Sequence, residues 1–331
     1  MRKWRSAKSL LGLMLSTVML AGSIPGSVFA AESQPDRVES ILAGMSIEEK
    51  IGQMMVPSFR VWKEVPAPGT DGMNQTAENT GSTPVAVNVT ELNDEIRQCI
   101  AKYHFGGTVL YAENCNDAEQ VLRLTSDIQS TNLAGGGIPM FIAADQEGGT
   151  VARIGFGTAG TGNMSLAATG DPRYARNMAA VFGTEMSALG INTDFAPVMD
   201  VNRNPNNPVI GIRSFSDNPE LVSKYGIAYM QGLHDTGTIA TLKHFPGHGN
   251  TDTDSHTGFP CINESYESLK KTDLVPFRAA INAGADMIMT AHIQYPQIEK
   301  GTYISKTSGE PVYLPATMSR TIMTGILRND R

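Results

Sequence analysis

The chain has 331 residues, 41% hydrophobic and 18% charged, with a formal net charge of −7. This is the composition of a folded globular protein with a sizeable core, not of a disordered or fibrous chain. Its acidity makes it a poor electrostatic match for nucleic acid or anionic membranes. The three cysteines, Cys99, Cys115 and Cys261, are too few and too scattered for a disulfide framework. One bridge with one thiol left over stays open, and no CxxC metal pair occurs.

The first thirty residues stand apart. Arg2, Lys3, Arg5 and Lys8 give a positive start, residues 10–21 form a short apolar run, and Val28-Phe29-Ala30 offers small residues for cleavage before Ala31. This pattern predicts a secretory signal peptide over 1–30. The mature domain would then span 31–331 and be secreted or cell-wall associated. The apolar run is too short to cross a bilayer comfortably, so no membrane span is expected after cleavage. Leu20-Ala21-Gly22 resembles the start of a lipobox, but Ser23 stands where the lipidated cysteine is required. The segment carries four basic and no acidic residues, so its removal takes the net charge from −7 to −11.

A helix is predicted over 36–45. Ser46-Ile47-Glu48-Glu49 has capping-box spacing and opens another. A strand is predicted over 53–59, then a loop over 65–89 rich in Gly, Pro, Thr and Asn. A helix at 92–103 and a short apolar strand at 107–111 follow. The alternation continues with a helix at 118–130 and a strand at 139–144 ending at Asp145. Next come a helix at 173–189 and a strand at 191–199 ending at Asp200. A helix at 219–234 precedes a strand at 238–242 that leads into Lys243 and His244. A helix at 265–283 precedes a strand at 285–290 leading to His292, and a last helix covers 315–328. Six strand–helix units with continuous apolar strands imply a parallel sheet covered on both faces. An open doubly wound sheet and a (β/α)₈ barrel both fit, with the barrel slightly favoured. No second domain boundary is evident.

The densest polar constellation is the stretch 243–256, which holds Lys243, His244, His248, Asp252, Asp254 and His256. Gly and Pro make it a loop after a strand, where parallel-sheet enzymes place their chemistry. Asp254 and His256 are two apart, so the carboxylate can hold the imidazole and favour its protonated form, a general acid near neutral pH. A metal site built from His244, His248 and His256 matches no established zinc spacing, and no metal or other cofactor is expected. A structural role for the histidines fits His248 better than His256. Ser255 as a nucleophile lacks a GxSxG elbow. A second cluster is Asp145-Gln146-Glu147-Gly148-Gly149 with Arg153 beyond it. Asp145 there suits hydrogen bonding to hydroxyls, while Glu147 reads as a turn or cap residue. In the third, residues 207–216, Arg213 suits either a ligand clamp or a surface ion pair. Gly155, Gly157 and Gly160 match G-x-G-x-x-G, but no buried strand leads in and no acid follows at the required distance.

In order, these motifs are DQEGG at 145–149, NTDFAPVMD at 192–200, NPVIGIRSFS at 207–216, KHFPGHG at 243–249, DSH at 254–256 and AGADMIMTAH at 283–292. The set resembles the N-terminal barrel of glycoside hydrolase family three, over nearly the whole mature chain. The DSH element is similar to the β-N-acetylglucosaminidase branch, and the likeness extends to secreted Gram-positive members that process cell-wall fragments. The resemblance implies a retaining β-N-acetylhexosaminidase acting on terminal GlcNAc. It implies His256 as acid/base with Asp254 as its partner. It implies Asp145, Arg153, Arg213, Lys243 and His244 as sugar-binding residues, with Asp200 and His292 as further pocket candidates. The family's nucleophilic carboxylate ends a seventh strand, which is expected beyond Arg331; Asp286, at the start of its own strand, does not replace it. The expected architecture is therefore an incomplete barrel of about six units, inactive as it stands. A non-catalytic carbohydrate-binding fragment and a phosphorylase are the competing readings.

Overall fold

The computed structural model describes residues 34–64, 85–254 and 258–329. The signal-peptide reading over 1–30, Ser255 and His256 lie outside them. The chain divides into two compact units, Met1–Met45 and Ser46–Arg331. The first contains helix α1 (Gln34–Gly44). No helix among the described residues is long and apolar enough to cross a membrane.

The second unit opens on the predicted capping box. Ser46 Oγ accepts from the Glu49 amide at 3.1 Å, and Glu49 Oε2 accepts from the Ser46 amide at 2.7 Å. These bonds satisfy two otherwise orphaned donors at the start of α2 (Ile47–Gln53). Strands β1 (Val61–Glu64) and β2 (Val85–Asn88) pair antiparallel. Then come α3 (Asp94–Tyr103), β3 (Gly107–Val109), α4 (Ala118–Ala134) and β4 (Phe141–Ala144). A small antiparallel pair, β5 (Gln146–Gly148) and β6 (Val151–Ala152), leads to α5 (Asn163–Ala168) and α6 (Arg173–Ala188). Strand β7 (Thr193–Asp194), α7 (Pro219–His234) and β8 (Ile239–Phe245) follow. Helices α8 (Tyr266–Lys271) and α9 (Leu274–Asn282) precede β9 (Met287–Thr290). A hairpin of β10 (Thr302–Ile304) and β11 (Pro311–Tyr313) comes before a π-helical segment, Thr321–Asn329.

The main sheet is parallel and runs β3-β4-β7-β8-β9, so each strand lies beside its neighbour in sequence. A doubly wound sheet reverses its order at a switch point, and this sheet does not. The arrangement is an incomplete (β/α) barrel. Strand β8 shows how it is built. Ala240 and Leu242 pack into a core with Tyr225, Tyr229, Phe277 and Ala280 of the covering helices. The intervening Thr241 and Lys243 point to the other face, as a period of two requires. Ile96, Ile100, Val121, Leu124 and Ile142 form a second core under α3 and α4.

Several expected elements differ. The segment 53–59 forms no ladder strand, because Gln53 ends α2 and Pro57 has no amide to donate. It still lies against β3, where Pro57 O accepts from the Val109 amide at 3.2 Å and from Thr108 Oγ1 at 2.9 Å. The expected loop 65–89 ends in β2, and 65–84 lies outside the described residues. The predicted strand 191–199 shortens to β7, although Lys243 N still donates to Pro197 O at 3.1 Å farther along. The single helix predicted at 265–283 is two, since Pro276 cannot donate across the junction but fits the first turn of α9.

Helices α6 and α7 meet at a glycine. A Cβ on Gly232 would lie 2.1 Å from Arg176 O and 2.9 Å from Ala179 Cβ. Alanine there gains roughly 1 kcal/mol of helix propensity, but overpacking costs about 1–3 kcal/mol, and a backbone carbonyl cannot rotate away. Gly232→Ala is therefore expected to lower the melting temperature despite its better propensity. An unchanged or raised melting temperature would show that the helices part at little cost.

Candidate functional site

Lys243 stands near the C-terminal end of β8 and is 1% exposed. An ammonium so buried needs anionic partners. It has two, since Nζ donates to Asp145 Oδ1 at 2.6 Å and lies 2.6 Å from Glu147 Oε1. Burial opposes its charge, but Glu147 and Asp145 hold its pKa above the usual lysine value. Asp145 follows the last residue of β4, and Glu147 sits in β5. Arg213, at the end of a 3-10 turn (Gly211–Arg213), grips Glu147 with both prongs. Its Nε donates to Oε2 at 2.9 Å and its terminal nitrogen to Oε1 at 2.6 Å. Burial alone would raise the Glu147 pKa, yet Lys243 and Arg213 bring it down to about 2. Arg153 completes the group with Nε 3.8 Å from Asp145 Oδ2.

The cluster has a floor and a rim. Lys243 and Glu147 are each 1% exposed, whereas Asp145, Arg153 and Arg213 are 18%, 34% and 16% exposed. An adjoining pair is made by His244 and Asp200. His244 Nδ1 donates to Asp200 Oδ2 at 2.6 Å. Asp200 Oδ1 accepts from the His248 amide at 2.7 Å and the His244 amide at 3.3 Å. Burial would raise the Asp200 pKa, but His244 and the amide bonds lower it, so it is a buried carboxylate held ionised. With Nδ1 committed, Nε2 is the His244 nitrogen left to a ligand.

The structure thus brings Asp145, Arg153, Arg213 and Lys243 into one network, with His244 and Asp200 beside it. His292, just past the end of β9, is exposed, with Nδ1 2.9 Å from Thr317 Oγ1. Asp254 is described and accepts from the Gly258 amide through its carbonyl at 3.0 Å, while His256 lies outside the described residues. His248 is structural here. It is buried, its Nδ1 donates to Thr251 Oγ1 at 2.7 Å, and burial lowers its pKa. No group of three or more His, Cys, Asp or Glu able to hold a metal occurs among the described residues. Asp286 lies just before β9 and bonds the Ala240 amide at 3.0 Å, at the opposite end of the strands. Gly155, Gly157 and Gly160 form a packing turn. Thr158 donates to Glu185 from its amide at 2.9 Å and its hydroxyl at 2.6 Å. The three cysteines are free thiols, and burial pushes that of Cys115 up to about 11.

Two residues were missed by sequence reasoning. Glu147 is not a cap or turn residue. It is the carboxylate shared by Lys243 and Arg213. The signal was present, because a lysine in an apolar strand demands acids, and Glu147 lies one strand period from Asp145. Asp194 on β7 is fully buried, accepts from the Gln146 amide at 3.0 Å, and leaves Oδ2 without a partner. Burial raises its pKa well above the ordinary value.

Comparison with known proteins matches residues 46–331 to the family described as "Glycosyl hydrolase family 3 N terminal domain". The chain belongs to glycoside hydrolase family 3. Beta-hexosaminidase A of Pseudoalteromonas piscicida is 41% identical over 294 residues, covering 86% of this chain and 47% of that protein. A family 3 beta-N-acetylglucosaminidase from Paenibacillus sp. str. FPU-7 superposes with a TM-score of 0.72 at 36% identity, over 86% of this chain and 47% of its own. NagZ from Neisseria gonorrhoeae, solved with N-trifluoroacetyl-D-glucosamine, gives 0.64 at 33% identity over 73% of this chain and 68% of its own. The chain thus spans about half the length of the first two of these family 3 relatives.

The ion pairs make an acid-stability prediction. The Glu147 pKa is depressed from 4.5 to about 2, so the stability it contributes is present above pH 4.5 and is lost as pH falls toward 2. Glu147→Gln keeps the shape but leaves Lys243 half-paired, at a cost of about 3–5 kcal/mol near neutral pH. The wild-type-minus-variant difference in denaturant unfolding is expected to narrow steadily between pH 4.5 and 2. A difference that stays constant with pH would reject the pairing.

Proposed function

We propose that this chain supplies the sugar-binding barrel of a retaining β-N-acetylhexosaminidase that removes terminal, non-reducing, β-linked N-acetylglucosamine from peptidoglycan fragments outside the cell. The observation that carries the reading is the Lys243–Glu147 floor with its rim of Asp145, Arg153 and Arg213. A pyranose offers a ring of hydroxyls that donate and accept. A rim of one carboxylate and two guanidiniums, locked from beneath, presents fixed acceptors and donors to them. The family and the names of its relatives narrow the sugar to an N-acetylhexosamine.

In this reading His256, oriented by Asp254, donates a proton to the glycosidic oxygen as the bond from that oxygen to the anomeric carbon breaks. A carboxylate nucleophile bonds to the anomeric carbon in the same step. Water then displaces the carboxylate, and His256 takes the proton from that water. Asp145, Glu147 and Asp200 are each committed to Lys243, Arg213 or His244, so none of them is assigned the nucleophilic role.

Two measurements test this. A version extended past Arg331 through the next two strands is expected to turn over a chromogenic β-GlcNAc substrate, and the 331-residue chain is not. Comparable turnover by both would mean that a carboxylate within this chain attacks. In the extended version His256→Ala should lower oligosaccharide turnover by about 10²–10⁴-fold while sparing binding of the sugar. Unchanged turnover would remove His256 from the mechanism. Sugar binding with no turnover in any version would favour a binding protein.

A further inference from the structure

The loop after β8 is held along its whole first part. Gly247 O accepts from Tyr295 Oη at 2.6 Å, and His248 O from Asn207 Nδ2 at 2.8 Å. Gly249 O accepts from the Asn204 amide at 3.1 Å, and Thr251 O from Asn204 Nδ2 at 2.9 Å. The contact is too close for a side chain, since a Cβ on Gly249 would lie 1.8 Å from Val201 O. Asn250 Nδ2 donates to Glu264 Oε1 at 2.5 Å.

Behind the loop stands one guanidinium. A terminal nitrogen of Arg203 donates to Glu264 at 3.0 and 3.2 Å and to Asp273 Oδ2 at 2.5 Å. The two acids come from the approaches to α8 and α9, and Asp273 is buried. Ser268 Oγ donates to Glu264 at 2.7 Å, and Thr272 Oγ1 donates to Asp273 at 2.9 Å. Gly247 rests on this group, and a Cβ there would meet Asp273 Cβ at 2.6 Å. Three residues past the last pinned position, Thr251, stands Asp254.

We infer that Arg203, with Glu264 and Asp273, forms a positioning clamp that fixes the root of the loop leading to Asp254 and to the proposed acid/base His256. The inference rests on the acid/base reading of His256 given above. The three clamp residues are proposed to act on position rather than on the substrate. Their effect passes through Asn250 and the backbone of Gly247. The one Arg203 nitrogen that meets both carboxylates is fixed in a planar guanidinium, which sets its direction of approach in a way a freely rotating ammonium does not. A clamp of this kind therefore specifies loop geometry rather than adding stability alone.

The test uses the full-length enzyme with Arg203→Lys and, as a second cut in the same link, Asn250→Ala. Each is assayed on a GlcNAc disaccharide, whose leaving group needs a proton, and on a dinitrophenyl glycoside, whose leaving group does not. His256→Ala is the control. Misplacing the acid should lower kcat on the disaccharide at least about 10-fold, a part of the full general-acid effect. The glycosylation burst rate and kcat/KM on the aryl glycoside should stay near wild type, while its kcat and KM fall together because His256 is also the base of the second step. Equal losses of kcat/KM on both substrates, or no loss on either, while His256→Ala remains selective for the disaccharide, would overturn the clamp and leave the acid/base reading standing. A His256→Ala enzyme without that selectivity would bring down the acid/base reading, and the clamp with it. If Arg203→Lys does not fold, Asn250→Ala, which keeps every charge of the clamp, decides by the same comparison.

Discussion

The site depends on one buried ammonium. Lys243 is carried on a strand whose alternate residues, Ala240 and Leu242, are anchored in the helix-covered core, so it cannot turn outward without dragging β8 out of register. Burying an unpaired charge is prohibitive. Lys243 therefore dictates that Asp145 and Glu147 converge from the β4–β5 segment. Glu147 in turn dictates the place of Arg213, which reaches it from the loop before α7. Four residues on three connections are fixed by a single requirement of charge compensation. The bidentate Arg213–Glu147 geometry adds direction to what would otherwise be simple attraction.

The same low-dielectric interior sorts the carboxylates into two kinds. Glu147 and Asp200 are buried beside cations and amides, which overcome burial and keep them ionised. Asp194 is equally buried, and burial, with the like charges of Asp145 and Glu147, outweighs the Gln146 amide and Lys243 and raises its pKa well above the ordinary value. Asp194 ends β7, while Glu147 lies in β5, just past the end of β4, and Asp200 lies in the segment that follows β7.

Much of this was legible in the sequence, and the failures have physical causes. The alternation of apolar strands and helices gave the sheet, because burial on both faces leaves continuous apolar runs. The polar residues ending those runs gave Asp145, Asp200, Lys243 and His244. Strand order was not legible, since a doubly wound sheet and a barrel share the same alternation and differ only in long-range pairing. Glu147 was misread because a single acid followed by two glycines looks like a turn. Its role appears only when Lys243, some hundred residues away, is placed against it. Proline decided the remaining differences. Pro57 and Pro276 each removed an amide where periodicity alone predicted a continuous element. The β1–β2 and β10–β11 hairpins carried too few residues for a period to register.

Rigidity and chemistry are divided between different parts of the fold. The rim of Asp145, Arg153 and Arg213 rises directly from strand ends or is locked to them, so its donors and acceptors are set when the core packs. Asp254 belongs instead to a loop whose conformation is settled by side-chain contacts made after β8 leaves the sheet. In the proposed mechanism a group that moves protons at two successive steps has to meet first a leaving oxygen and then a water, whereas groups that hold one sugar through both steps need a single geometry. A division between strand-borne holders and a loop-borne proton carrier would suit that proposal. Hydrogen bonds from Asn204 and Asn207, and the Arg203 nitrogen held between Glu264 and Asp273, limit how far that loop is free to adjust. Lys243 and Glu147, by contrast, are buried and paired to each other at 2.6 Å.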